Sequence, residues 1–227
     1  MTIRIPNKRF ISFFSPTTIF CIVLLLTIPL AGLLPASWGQ ENGPIENTQV
    51  VIIMLTGVIA YRAYRWGAGS EATKRLYLWS IPIIFIVAFR ELSWGRVFYP
   101  NGHGWYLPLH ALWYGKYVYP SVGIIIFSVL LGIYLQHLDK EILQWIKHGK
   151  FPIIDIMMIL GGFFAADFVE HHTHGYFASY QDLFEELFEL VMYSGVLSLF
   201  TNIGFNKLFH PDHKTEKNKV DSKVTYI

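Results

Sequence analysis

Apolar residues along this chain gather into six long runs, roughly Thr17–Trp38, Thr48–Trp66, Leu76–Trp94, Tyr117–His137, Phe151–His171 and Leu183–Ile203. Each is near the ~20 residues that an α-helix needs to cross a bilayer. The pattern predicts an all-α integral membrane protein, a bundle of six transmembrane helices, with residues 1–209 as a single domain and 210–227 as a polar tail. Pro29, Pro82, Pro120 and Pro152 fall inside or at the edges of the runs. Proline is tolerated there where packing or a polar group meets the freed carbonyl.

The first run follows Arg4, Lys8 and Arg9 and so has the outline of a signal peptide. It is long, however, and Leu34-Pro35-Ala36-Ser37-Trp38 is a poor small-residue cleavage site, so it reads as a retained helix.

Charge gives the bundle a direction. Fifteen of the eighteen Lys and Arg residues lie in the N-tail, from Arg62 at the end of run two to Arg75 before run three, between runs four and five, or in the C-tail. Only Arg90, Arg96 and Lys116 lie on the other side. By the positive-inside rule both termini are expected in the cytoplasm, in a bacterial inner membrane.

Composition agrees with the class. The chain is 53% hydrophobic and 15% charged, against about 25% charged in soluble domains. A single cysteine, Cys21, excludes an internal disulfide and a cysteine-based metal site. There is no phosphate-binding glycine loop, nucleophile elbow or nucleic-acid patch; topology accounts for the basic tail.

Candidate chemistry concentrates on the outward side. Asp167, Glu170, His171 and His174 step 0, +3, +4, +7, and so do Asp182, Glu185, Glu186 and Glu189. On helices each set makes one stripe. An antiparallel hairpin closed near 175–181 would turn the stripes toward each other, with His171 meeting Glu185 or Glu186 and Asp167 approaching Glu189. Six carboxylates there cannot all stay ionised in a low dielectric without cations. They can bind one or two divalent metals, share protons, or pair with Arg90 and Arg96. Ser179 and Asp182 also form a capping box, which gives the outermost acids a structural explanation. Asp155 reads as a helix-start acid outside the site.

The deeper set makes Asp167, Glu170, His171, His174 and Glu189 the candidate ligands of a divalent metal, zinc or iron. Glu91, which ends the third run, and Glu186 are the candidate catalytic bases; His110 is a further possible ligand. Neither a His-Glu-x-x-His motif nor the Glu-x-x-His pair of carboxylate-bridged di-iron bundles is present. The connection from Gly95 to Lys116 is rich in Trp and Tyr and reads as an interfacial aromatic belt, or as a lid.

The expectation is a membrane-embedded, metal-dependent enzyme whose outward site hydrolyses a lipid-like substrate. The alternatives are a proton- or cation-coupled transport subunit, in which the acids form a relay, and a non-catalytic membrane subunit that docks a partner.

Overall fold

The computed structural model describes residues 21–22, 24–26, 28–102, 106–148, 151–172 and 180–206. His103, His174 and Ser179 therefore lie outside the described residues, as do residues 17–20, 23 and 27 of the first predicted run. The described chain is helical: α1 (Pro44–Trp66), α2 (Glu71–Glu91), α3 (Gly115–Leu135), α4 (Leu138–His148), α5 (Ile153–His172) and α6 (Gln181–Phe205). Segments Ala36–Trp66, Glu71–Glu91, Gly115–Leu135 and Gln181–Phe205 are long and apolar enough to cross a membrane. Helix α5 has that length too, but Asp155, Asp167 and Glu170 interrupt its apolar character.

Several boundaries differ from the hydropathy pattern for local reasons. Residues Ile28–Leu33 and Ala36–Gly39 form 3₁₀ turns rather than the end of a long helix, and Pro29 and Pro35 punctuate this stretch. Helix α1 starts four residues before Thr48, with Pro44 at its first position, where the missing N–H costs nothing. Glu46 thereby enters its first turn, favoured by the helix dipole. At the other end, the Gly67 N–H closes on the Ala63 carbonyl at 2.8 Å.

Helix α2 is capped by Ser70, whose hydroxyl accepts from the Thr73 N–H at 3.0 Å. It ends at Glu91 rather than Trp94, because Ser93, Trp94 and Gly95 all take positive φ. Helix α4 lies within a stretch predicted as a connection. Its Glu141 is buried and accepts from Ser70 and Thr73 at 2.6 and 2.8 Å, tying this amphipathic helix to the start of α2.

Helices α1, α2 and α6 share one core, in which Ile53, Ile84, Ala88, Leu187 and Val191 are buried. The α1 face turned inward carries Glu46, Gln49, Ile53, Thr56, Ala60 and Ala63, stepping alternately by three and four. Helix α5 packs along α6 through small residues. A Cβ on Gly162 would stand 2.7 Å from the Phe188 carbonyl, and one on Gly195 would stand 3.0 Å from Ile159 Cγ1. Helix α3 is mostly exposed, with Gly132 seated against the ring of Trp79.

Candidate functional site

Helices α1 and α6 run parallel to each other and antiparallel to α2, which brings the start of α1, the end of α2 and the start of α6 to one end of the bundle. Glu46 and Gln49 come from α1, Arg90 and Glu91 from α2, and Glu186, Glu189 and Tyr193 from α6. Glu189 is the ninth residue of α6, which places it ~12 Å beyond the first at 1.5 Å per residue.

Glu91 and Glu46 are 7% and 8% exposed, and Gln49 is 0% exposed. The Tyr193 hydroxyl donates to Glu91 Oε1 at 2.7 Å. Gln49 Nε2 donates to Glu186 Oε2 at 2.7 Å and to the Glu186 backbone carbonyl at 2.8 Å. Because a carbonyl only accepts, the second contact fixes which end of the Gln49 amide is nitrogen. Glu46 accepts from the Asn42 N–H on the turn before its helix.

The charges are unbalanced. Glu186 lies within electrostatic range of Glu189, Glu46 and Glu91. Arg90 is the cation beside them, and its Nη2 is 3.9 Å from Glu189 Oε1, too long for a hydrogen bond. Arg96, expected to help neutralise the acids, instead donates through Nε to the Leu107 carbonyl at 3.0 Å.

This centre contains both expected bases, Glu91 and Glu186, and one expected metal ligand, Glu189. The other described candidates lie elsewhere. Asp167, Glu170 and His171 bring one ligand atom each within 4.8 Å of one another, but all three side chains are more than half exposed. His171 Nδ1 is 2.9 Å from the Asp167 carbonyl. That contact requires a proton on Nδ1 and leaves Nε2 as the nitrogen able to take a metal. The two carboxylates stand 3.6 and 3.8 Å from Nδ1.

Asp167 is not among the charges that act on Glu189, whereas Glu170 is, and His171 is within range of Glu185. The reason is helical phase. The buried face of α5 is Asp155, Met158, Gly162 and Ala166, so Asp167 and His171 stand about 135° and about 175° from its centre, at 3.6 residues per turn. The Gln181 side chain reaches across to the Glu170 carbonyl at 2.7 Å and fastens the two helix ends together. His110 is exposed on its own short 3₁₀ turn, Leu109–Ala111.

Two placements depart from expectation. Asp155 is 1% exposed and accepts from Ser198 at 2.8 Å and Asn202 at 2.6 Å, so it is a core residue of the α5–α6 contact rather than a plain helix-start acid. Gln49 and Tyr193 were not singled out from sequence. Their signal was the alternating three–four seam of α1 for Gln49, and the +4 step from Glu189 for Tyr193.

An apolar cavity of about 390 Å³ adjoins the centre, lined by Ile53, Ile84, Val87, Tyr193, Val196 and Phe200 among others. Tyr193 belongs to both: its hydroxyl holds Glu91, and the residue lines the cavity. The Trp- and Tyr-rich connection after α2 folds against α2 and α3. Tyr114 donates to the Trp94 carbonyl at 3.1 Å, and Trp94 packs edge-on to Tyr119.

Compared with known protein families, curated proteins and solved structures, the chain matches none.

Proposed function

We propose that this chain is a six-span inner-membrane protein with both termini in the cytoplasm, and a metal-dependent enzyme that hydrolyses a lipid-like ester or amide at its outward end. The observation that carries this reading is the position of Tyr193, between a buried carboxylate centre and an apolar cavity. The cavity is within the size range of small-ligand sites and suits an acyl chain, which would bring the polar linkage of the substrate to the carboxylates.

Hydrolysis needs a water, a base and a stabiliser of the developing oxyanion. Glu91, oriented by Tyr193, is the base. The oxygen of water bonds to the acyl carbon while its proton passes to Glu91; the bond to the leaving alcohol or amine then breaks, and the leaving atom takes that proton. A divalent cation supplies water activation and charge stabilisation when bound. Arg90 is the nearby fixed positive charge. Two places offer cation ligands: the exposed group of Asp167, Glu170 and His171, and the buried pair of Gln49 and Glu186.

The test is turnover of a panel of ester- and amide-linked lipids by the purified chain in nanodiscs, with and without a chelator. Chelator-sensitive hydrolysis that is lost in Glu91→Gln supports the reading. Absence of turnover across the panel, with proton or cation uptake into vesicles instead, replaces it with the relay.

A further inference from the structure

The amide of Gln49 carries an unused oxygen in the most crowded part of the site. Both of its donor contacts go to Glu186, one to the carboxylate and one to the backbone carbonyl. The side chain is fully buried, yet Oε1 has no hydrogen-bond partner among the described residues. Burying a polar atom in that state is costly. Nε2 contacts Glu186 Oε2 at 2.7 Å, and Oε1 shares its amide carbon, so Oε1 lies within about 5 Å of that carboxylate oxygen. Glu189, Glu46 and Glu91 act electrostatically on Glu186, whereas Arg90 acts on Glu189 and Glu91.

We propose that Gln49 Oε1 and the Glu186 carboxylate form the protein half of a binding site for one hard divalent cation of the magnesium, calcium or manganese class, with Glu46 as the facing acid. The donor set decides the class. It is all oxygen, with neither imidazole nor thiolate, and hard cations take one or two carboxylates, an amide oxygen and waters. A carboxylate oxygen and an amide oxygen side by side can share one cation, while the neighbouring Nε2 contact keeps the pair aligned. The cation also offsets the excess negative charge that Arg90 leaves. The site differs from the exposed group on α5, whose His171 nitrogen would favour zinc or iron.

This inference supplies the cation that the hydrolase reading needs, and so rests on it for its purpose, but it is tested without substrate. The full chain is reconstituted in nanodiscs and titrated with Mn2+, read by the free-ion electron paramagnetic resonance signal, with Mg2+ and Ca2+ as competitors. One saturable Mn2+ site is expected. Gln49→Leu and Glu186→Gln should each weaken it by at least about tenfold, the loss typical even of outer-sphere partners. Gln49→Glu keeps an oxygen in place and should retain binding, which guards against a folding defect in the leucine variant. His171→Ala should leave binding unchanged. No saturable site, binding indifferent to Gln49→Leu and Glu186→Gln, or binding lost in His171→Ala would each overturn the proposal. Failure of Mn2+ binding with lipid turnover intact sinks this site alone. Mn2+ binding without turnover sinks the hydrolase reading alone.

Discussion

The Tyr193 hydroxyl donates to Glu91 Oε1 at 2.7 Å, joining the apolar interior of the bundle to its acidic end. The bond spans α6 and α2 and is buried at both residues. It turns Glu91 inward, away from the interface where an ion pair with Arg90 or Arg96 would have placed it. A buried carboxylate is costly unless hydrogen-bonded, so this one contact matters to both fold and site.

Removing the donor should reveal that cost. Tyr193→Phe keeps the ring but leaves Glu91 without its phenol, a loss of about 1–3 kcal/mol. With Glu91→Gln the acceptor is neutral, so Tyr193→Phe should cost clearly less. Thermal or denaturant unfolding of the two single variants and the double variant forms a cycle that measures the coupling. Equal costs in both backgrounds would mean that the carboxylate does not depend on the phenol.

Two adjacent glycines on α5 make a sharper packing test. A Cβ on Gly162 would lie 2.7 Å from the Phe188 carbonyl and 2.9 Å from the Met192 nitrogen, whereas one on Gly161 meets nothing within 4 Å. Backbone cannot swing aside, so Gly162→Ala should force α5 from α6 and destabilise by about 1–3 kcal/mol. Gly161→Ala should be neutral or slightly stabilising, since alanine is the better helix former. Matching melting temperatures for the two variants would contradict this packing.

Asp155 anchors the opposite end of the same helix pair. Deleting its carboxylate removes the acceptor of the Ser198 hydroxyl and the Asn202 amide inside the α5–α6 contact. Asp155→Ala should destabilise by about 1–3 kcal/mol, the range for removing one partner from buried hydrogen bonds, and Asp155→Asn by less. Neither should change Mn2+ affinity in the protein that remains folded, because Asp155 sits near the start of α5 and the carboxylate centre near the start of α6. A loss of stoichiometric Mn2+ binding in folded Asp155→Asn would show that the two ends are linked.

Hydropathy made the class of protein and the rough position of the long helices legible, because apolar run length is a direct requirement of a bilayer. It also pointed to Glu91 and Glu186, acids at the edges of apolar runs. Spacing alone did not give rotational phase. Asp167 through His171 and Asp182 through Glu189 share one periodicity, yet Gly162 and Ala166 set which face of α5 meets α6, and the α5 stripe falls outside it. Glu46 and Gln49 were obscured differently. The apolar run begins near Thr48, so Glu46 stands outside it in the sequence, although Pro44 already opens the helix. Tyr193 was one aromatic among many, and its role depends on a partner 102 residues away.

The orientation of the bundle gives the last prediction. Basic residues cluster in alternate segments, and such a bias sets the side on which short connections remain. Asn101 lies in the connection between α2 and α3, and Asp139 near the start of α4, between α3 and α5; both are exposed. Cys21 is buried, so the native thiol should contribute little background. A membrane-impermeant maleimide added to cells with a permeabilised outer membrane should therefore label Asn101→Cys and not Asp139→Cys, until the inner membrane is opened. Labelling of Asp139→Cys alone would invert the bundle and place the carboxylate centre in the cytoplasm. Labelling of both in sealed cells would mean that α3 does not cross. Labelling of Asn101→Cys alone puts the carboxylate centre on the outward side, because Glu91 ends α2 immediately before the labelled connection.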